Sequence, residues 1–196
     1  MNARAGRIGP NAITRVAEAM LPQLGAGATA RIFASAGLLD YLERPPESMV
    51  DEAEVTRLHR AMRAAVGPVQ ARALAFEAGT RTGDYLLAHR IPKPVQWLLR
   101  HLPAALAAPV LLSAIRRHAW TFAGSGVFTA QAGPPVRLTL RHNPLCAGIT
   151  SDEPVCSFYS ATFERLFRVL VHPRAQVRET ACEAAGAAAC AFEIRW

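Results

Sequence analysis

Three cysteines and a glutamate in the last quarter of the sequence constrain its fold more than any other feature. They are Cys156, Glu179, Cys182 and Cys190. Three thiolates and one carboxylate form a complete tetrahedral ligand set for a structural zinc ion, with no position left for a substrate. Free cysteine is also among the most buried residue types, so a plain apolar core explains these side chains as well. Because no compact Cys-x-x-Cys pair is present, the spacing leaves both interpretations open.

The residues around these positions indicate how they would meet. Residues 177–182 and 190–196 have the composition of short strands, and pairing them as a hairpin brings Cys182 close to Cys190. We expect Cys156 to join them from the start of a helix that packs beside the hairpin. The remaining cysteine, Cys146, lies outside this expected ligand set.

The composition indicates a globular protein without a membrane-spanning helix. The chain has 196 residues, of which 51% are hydrophobic, so it can bury the core of one domain. Its most apolar stretch, Val95–Ile115, is interrupted by prolines, an arginine and a histidine. This argues against a spanning helix and is compatible with contact at a membrane surface. Residues 1–10 lack the apolar part of a secretory signal, so we expect a cytoplasmic location, where thiols stay reduced.

The net charge of +7 comes almost wholly from arginine, since Lys93 is the only lysine. A positive balance permits binding to nucleic acid, to an anionic membrane or to a carboxylated ligand. The arginines are scattered, and no basic run with interleaved aromatic residues occurs. A nucleic-acid partner is therefore not expected.

Hydrophobic periodicity predicts helices first and a small sheet afterwards. Helices are predicted at 10–24, 28–35, 51–66, 69–89 and 158–171, with two short ones inside 95–115. Strands are predicted around 120–128 and 136–141, before the final hairpin. We expect an α+β fold: N-terminal helices followed by a small antiparallel sheet packed with helices. His59 falls on the apolar stripe of its helix and is interpreted as a histidine at the edge of the core.

Two further patterns bear on cofactors and ligands. Gly25–Ala30 matches the glycine pattern of a dinucleotide site but follows the end of a helix where that site requires a strand. No NAD or flavin site is therefore evident. Arg116, Arg117, His118 and Trp120 lie where the helices meet the first strand. They could orient a flat ligand that carries carboxylates, or they are a packed tryptophan beside solvated charges.

Five segments of the chain resemble the BchJ family of bacteriochlorophyll biosynthesis, the 4-vinyl (8-vinyl) reductases. They are Arg7–Asn11, Glu77–Leu87, His118–Gly126, Asn143–Cys146 and Glu179–Ala184. The C-terminal half is similar to the broader vinyl-reductase-type domain, which also occurs in sensor domains of aromatic-responsive transcription activators and is related to Bet3-type trafficking subunits. The resemblance implies an N-terminal helical segment at 1–50 and a ligand-binding domain at 51–196, together one compact unit.

The resemblance also implies a ligand set and a ligand class. In the sensors, a structural zinc is held at spacings that match Cys156, Glu179, Cys182 and Cys190. The family has a hydrophobic pocket, and for this branch the implied ligand is a divinyl magnesium tetrapyrrole of the protochlorophyllide or chlorophyllide type. For it we predict His118 as axial or edge contact, Trp120 for stacking, and Arg116 or Arg117 for a carboxylate. His89, His101 or a water molecule are alternative axial ligands, and Val95–Ile115 would form a movable wall.

Reduction of a vinyl group requires a source of hydride or electrons, which cofactors supply. Since the sequence shows no place to hold one, we expect a protein that binds the tetrapyrrole and delivers it to enzymes of the pathway. The alternative is the divinyl chlorophyllide 8-vinyl reductase itself, using an external electron donor, and a third is a ligand sensor without its output domain. Whether the protein is an enzyme stays open at this point, as do a homodimer and peripheral membrane contact.

Overall fold

A computed structural model of the protein describes residues 6–196. The expectations about residues 1–10 and 1–50 extend into residues 1–5, which lie outside that range. The elements in chain order are β1 Arg7–Ile8, α1 Asn11–Ser35, β2 Val50–Asp51, α2 Glu52–His89, α3 Lys93–His101, α4 Ala104–Arg117, β3 Val127–Gln131, β4 Val136–Arg141, α5 Ser157–Leu170, β5 Gln176–Ala181 and β6 Cys190–Arg195. The α+β fold predicted from the sequence is confirmed.

The two long helices are each interrupted at a glycine. Gly25 in α1 has φ 77° and ψ 166°, and Gly67 in α2 has φ 78° and ψ 169°. Only glycine adopts such positive φ values easily, so the helical hydrogen-bond pattern breaks there. Both breaks coincide with the predicted helix ends. The start of α2 is also as predicted, because the Asp51 carboxylate accepts a hydrogen bond of 2.8 Å from the Ala53 amide.

Helices α2 and α5 pack against each other at very close range. A Cβ atom at Gly79 would overlap the Phe158 carbonyl and lie 2.9 Å from the Ala161 Cβ. The Thr162 hydroxyl donates a 3.0 Å hydrogen bond to the Gly79 carbonyl across the same contact. This interface therefore has no space for a side chain at position 79.

The four longer strands form one antiparallel sheet in the order β3-β4-β6-β5. Alternate residues of the two inner strands are buried: Val136, Leu138 and Leu140 on β4, and Cys190, Phe192 and Ile194 on β6. Helix α5 covers this face, where the rings of Phe163 and Phe192 lie 5.8 Å apart. The predicted hairpin of β5 and β6 and the predicted strand at 136–141 are confirmed.

The strand predicted around 120–128 begins later in the structure than expected. Ala119–Thr121 forms a short 3-10 turn, and β3 begins at Val127. The Thr121 carbonyl accepts a 2.7 Å hydrogen bond from the Gly9 amide, and Gly124 turns the chain with φ 59°. The turn is therefore fixed by the N-terminal segment, which local periodicity does not reveal.

The apolar stretch at 95–115 forms α3 and α4, the two short helices predicted for it. Gln96 and Leu99 are the buried residues of α3, while α4 buries a longer stripe. Within residues 6–196, no helix is both long enough and apolar enough to cross a membrane.

Candidate metal centre

Four cysteine side chains meet between the sheet and the start of α5. Cys146 ends a 3-10 turn after β4, Cys156 immediately precedes α5, Cys182 follows β5, and Cys190 begins β6. All four side chains are buried. Three strands and the start of one helix therefore bring these four sulfur atoms together.

The distances between the sulfurs fit a single metal ion. The Cys156 and Cys190 sulfurs are 3.5 Å apart, Cys146 and Cys190 3.6 Å, Cys156 and Cys182 3.7 Å, and Cys182 and Cys190 3.9 Å. All four atoms lie within 4.8 Å of one another. Four sulfurs placed tetrahedrally about 2.3 Å from zinc would be separated by about 3.8 Å. The donor set and its spacing therefore fit a tetrahedral thiolate site.

Glu179 lies beside the cysteine cluster. Its Oε2 accepts a 2.8 Å hydrogen bond from the Cys156 amide, while its Oε1 is buried without a hydrogen-bond partner among the described residues. Burial, together with the charge of Cys182, raises the pKa of this carboxyl to about 9. The cluster within 4.8 Å has Cys146 as its fourth member. The predicted set with Glu179 as ligand stays a prediction, and Cys146 is the residue that the sequence analysis left out.

Hydrogen bonds among the sulfurs shift the pKa values of the thiols in opposite directions. A hydrogen bond with Cys146, and a smaller effect of one with Cys156, lower the pKa of the Cys182 thiol. A hydrogen bond with Cys146 raises the pKa of the Cys156 thiol. A compact group of buried thiols cannot lose every proton without a nearby cation, because like charges repel strongly in a medium of low polarity. A divalent cation at the centre of the cluster would offset the repulsion between the thiolates.

Asn143 donates hydrogen bonds to the cluster. Its buried side-chain nitrogen lies 3.1 Å from the Cys156 sulfur and 3.3 Å from the Cys190 sulfur. The Glu183 amide donates to the Cys190 sulfur at 3.4 Å, and the Glu183 carboxylate accepts from the His142 and Asn143 amides at 2.7 and 2.8 Å. Such surrounding donors orient metal-binding side chains. Neither Asn143 nor Glu183 was predicted as part of the site, although the Asn-Pro step before Cys146 is a signal for a turn.

The residues predicted to hold a tetrapyrrole lie elsewhere. Arg116 and Arg117 form the last turn of α4, His118 follows it, and Trp120 belongs to the next turn. All four are exposed, with 65% of Trp120 accessible to solvent. The structure places them along one short stretch of surface.

Two hollows lie between α2 and the connection from β4 to α5. One is lined by His59, Met62, Arg63, Leu145 and Ile149 among others, and the second by Arg60, Arg63, Pro68 and Gly148 among others. His59 is buried, as predicted, and its Nε2 has no hydrogen-bond partner among residues 6–196. Burial lowers the pKa of His59 to about 4. None of the predicted tetrapyrrole contacts lines either hollow.

Comparison with known proteins gives the family of the chain. It is 50% identical over 192 residues to the bacteriochlorophyll synthase 23 kDa chain of Cereibacter sphaeroides, covering 97% of this chain and 91% of the relative. The chain belongs to the bacteriochlorophyll synthase 23 kDa chain family. A second member, from Rhodobacter capsulatus, is 37% identical over 188 residues, covering 96% of this chain and 86% of the relative. The model of the V4R domain matches residues 136–196, which contain all four cysteines. These matches confirm the resemblance identified from the sequence.

Solved structures with the same fold are more distant. An H-NOX protein mutant from K. algicida is 13% identical, with a TM-score of 0.62 over 96% of each chain. A structure from a study of haem distortion in the H-NOX family is 11% identical, with a TM-score of 0.58 over 96% of this chain and 95% of that one. At these identities the likeness establishes the fold of the 23 kDa chain family and nothing more.

Proposed function

We propose that the protein acts in bacteriochlorophyll synthesis at the stage of 8-vinyl (4-vinyl) reduction, by binding a divinyl magnesium tetrapyrrole and delivering it to other enzymes of the pathway. The observation that carries the pathway assignment is the 50% identity with a bacteriochlorophyll synthase 23 kDa chain over nearly the whole sequence. The delivery role is inferred from the chemistry of the chain itself.

A tetrapyrrole offers an apolar face, a central metal that accepts an axial nitrogen, and carboxylates at its edge. In our proposal His118 supplies the axial or edge contact, Trp120 stacks on the ring, and Arg116 or Arg117 pairs with a carboxylate. Their exposure next to α3 and α4 supports this placement, because those helices could then move over the ligand. Structures from studies of haem distortion share the fold, which supports its capacity to hold a ring of this size. His89 and His101 are the alternative axial ligands.

The second candidate is the 8-vinyl reductase itself, which the resemblance to vinyl reductases favours. In that case the hydride or electrons come from an external donor. The glycine pattern at 25–30 lies inside α1 and follows helical residues, so it does not form the strand-to-helix turn of a dinucleotide site. The absence of that turn supports the delivery role over a self-contained NAD-dependent reductase.

We further propose that the cysteine cluster holds a structural zinc ion. Cys156, Cys182 and Cys190 belong to both conceivable ligand sets, and the distances favour Cys146 over Glu179 as the fourth ligand. Bound there, zinc would supply folding free energy and a closed tetrahedral coordination. The cysteines would then join the β5–β6 hairpin to α5 and to the end of β4, while Glu179 fixes the Cys156 backbone.

The remaining proposals concern partners. Delivery requires transient contact with the enzymes that supply and consume the tetrapyrrole. We also propose peripheral contact with a membrane, and a homodimer stays a proposal from the sequence.

The decisive experiment is anaerobic incubation of the purified protein with divinyl chlorophyllide and a chemical reductant. If the protein is a carrier, we expect the absorption bands of divinyl chlorophyllide to shift at a stoichiometry of one ligand per chain, and no monovinyl product to form. Subsequent addition of pathway enzymes should then release the ligand. Formation of monovinyl product by the protein alone would establish the reductase, and an unchanged spectrum would overturn both candidates.

A further inference from the structure

The positive charge of the protein is concentrated in one stretch of the chain. Residues 85–151 contain no aspartate or glutamate. Their seven cationic side chains are Arg90, Lys93, Arg100, Arg116, Arg117, Arg137 and Arg141. Outside the stretch, fifteen arginines balance fifteen carboxylates, so these 67 residues carry the entire net charge of +7. The stretch contains α3, α4 and the first two strands of the four-stranded sheet.

Five of these cations are available at the surface of α3 and α4. Arg90 precedes α3, Lys93 and Arg100 lie on it, and Arg116 and Arg117 end α4. All five are exposed, and none forms an ion pair with a carboxylate within residues 6–196. Their charge is therefore free to act on a partner.

Large apolar side chains are exposed on the same two helices. Trp97 and Leu98 on α3 are 63% and 49% exposed, and Leu106 and Val110 on α4 are 57% and 48% exposed. At 100° per residue these four positions lie about 100° to 160° around the helices from the buried Leu99 and Leu111. Because α3 and α4 both pack on α5, their outer sides face away from the body of the protein.

The orientation of α3 is fixed by a buried side chain. The Gln96 amide donates hydrogen bonds to the Leu87 carbonyl at 2.5 Å and to the Ile91 carbonyl at 2.8 Å. These bonds join α3 to the end of α2 and hold Trp97 outward, where its ring packs on His101 at a centroid distance of 4.4 Å. The exposed tryptophan is thus presented by a helix whose start is anchored to the end of α2.

We infer that the outer surface of α3 and α4, formed by Trp97, Leu98, Leu106 and Val110 with the five cations around them, binds the anionic headgroup region of a lipid bilayer. Tryptophan and leucine on one side of a short helix, flanked by arginine and lysine, are the chemistry of a helix that lies in a membrane interface. An acidic protein surface would complement the charge but would leave the tryptophan without an apolar phase. The inference names the site of the membrane contact proposed above. Arg116 and Arg117 belong also to the proposed tetrapyrrole site, whereas the apolar side chains and the cations on α3 do not.

Sedimentation with lipid vesicles tests this inference. We expect the protein to bind vesicles containing about one third anionic phosphatidylglycerol, and to bind neutral phosphatidylcholine vesicles at least about tenfold more weakly. Raising the salt concentration from about 0.05 M to about 0.5 M should release most of it. The double variant K93Q/R100Q and the double variant W97A/L106A should each reduce binding to anionic vesicles roughly tenfold or more.

Matched variants elsewhere on the surface are the controls. R31Q/R44Q removes two exposed cations and L39A/V69A removes two exposed apolar side chains, and both should bind as the unmodified protein does. Absence of binding to anionic vesicles at low salt would overturn the inference, as would equal effects of test and control variants. A dimer in solution that W97A/L106A dissociates, without vesicle binding, would assign the surface to a second copy of the chain. Because Lys93, Arg100, Trp97 and Leu106 are not proposed tetrapyrrole contacts, failure here leaves the delivery proposal to its own experiment.

Discussion

The side-chain amide of Asn143 lies 3.1 Å from the sulfur of Cys156 and 3.3 Å from the sulfur of Cys190. One donor thereby serves two sulfurs that come from elements 34 residues apart in the chain. The side-chain oxygen of Asn143 accepts a hydrogen bond of 3.0 Å from the Leu145 amide. This bond shapes the turn that presents Cys146. Asn143 thus organises three of the four cysteines.

Replacing Asn143 by alanine should weaken both the fold and the metal site. The change removes one donor from two buried sulfurs and leaves the Leu145 amide without its acceptor, so we expect a loss of about 2–3 kcal/mol in the free energy of unfolding. Zinc affinity should fall by about 10–100-fold. Urea denaturation and competition with a chelator measure the two effects. Asn11→Ala, at the half-buried start of α1, is the control, and equal losses in both variants would contradict the role of Asn143.

The fourth zinc ligand can be identified by comparing Cys146→Ser with Glu179→Gln. The ligand set expected from the sequence leaves out Cys146, so it predicts that Cys182→Ser destabilises the protein far more than Cys146→Ser. Because the Cys146 sulfur lies 3.6 Å from Cys190, we now expect Cys146→Ser and Cys182→Ser to reduce zinc affinity to a similar extent, beyond the roughly 100-fold typical of residues around a metal site.

Glu179→Gln should retain one zinc ion per chain and lose stability only through its bond to the Cys156 amide. Elemental analysis and chelator competition on all three variants give the answer. Loss of zinc in Glu179→Gln with retention in Cys146→Ser would restore the ligand set predicted from the sequence.

His59 should make the protein sensitive to mild acid. Burial lowers its pKa from 6.5 to about 4, so the folded state disfavours the protonated ring. The contribution of the neutral His59 ring to the free energy of unfolding is complete above about pH 6.5. It is lost progressively as the pH falls towards 4, to a total of about 3 kcal/mol. The free energy of unfolding of His59→Leu should therefore decline less than that of the unmodified protein over this interval. Parallel decline in both proteins would show that His59 does not titrate as stated.

Gly79→Ala should destabilise the contact between α2 and α5. The new methyl group would overlap the Phe158 carbonyl, and backbone on both sides prevents relief, so we expect a loss above about 2 kcal/mol. Gly27→Ala is the matched control, because its Cβ would meet only the Arg31 guanidinium at 3.7 Å. That variant should gain up to about 1 kcal/mol from helix propensity. Thermal unfolding followed by circular dichroism separates the two.

The tetrapyrrole placement predicts that His118→Ala and Trp120→Ala each weaken binding of divinyl chlorophyllide by at least about tenfold, since each removes a direct contact from an exposed position. Spectroscopic titration measures the affinity. His89→Ala and His101→Ala are compared in the same titration, because they are the alternative axial ligands. Affinities within a factor of about two for the first pair, in folded protein, would place the ligand elsewhere.

Helices and the final hairpin were predictable because their signals are local. The breaks at Gly25 and Gly67, the cap at Asp51 and the alternation along β4 and β6 each depend on a few neighbouring residues. The 3-10 turn at Ala119–Thr121 was mistaken for a strand because a distant amide, that of Gly9, fixes it. Strands β1 and β2 have two residues each, too few to show a period.

The metal site was predictable only where local patterns determine it. Hairpin pairing brought Cys182 to Cys190 in the sequence analysis, and the helix start added Cys156. Cys146 was missed because its approach depends on the β4–β6 pairing and on the turn held by Glu183. Those are contacts between residues about 40 to 60 positions apart, which no local pattern encodes.

Strand β6 lies between β4 and β5, although it is the last strand to be synthesised. β4 and β5 therefore each lack one hydrogen-bonded neighbour until Cys190–Arg195 lies between them. The same strand carries Cys190, so we expect the other three thiols to stay open to solvent until it is in place. Completion of the sheet and burial of the sulfurs are thus expected to be one folding step.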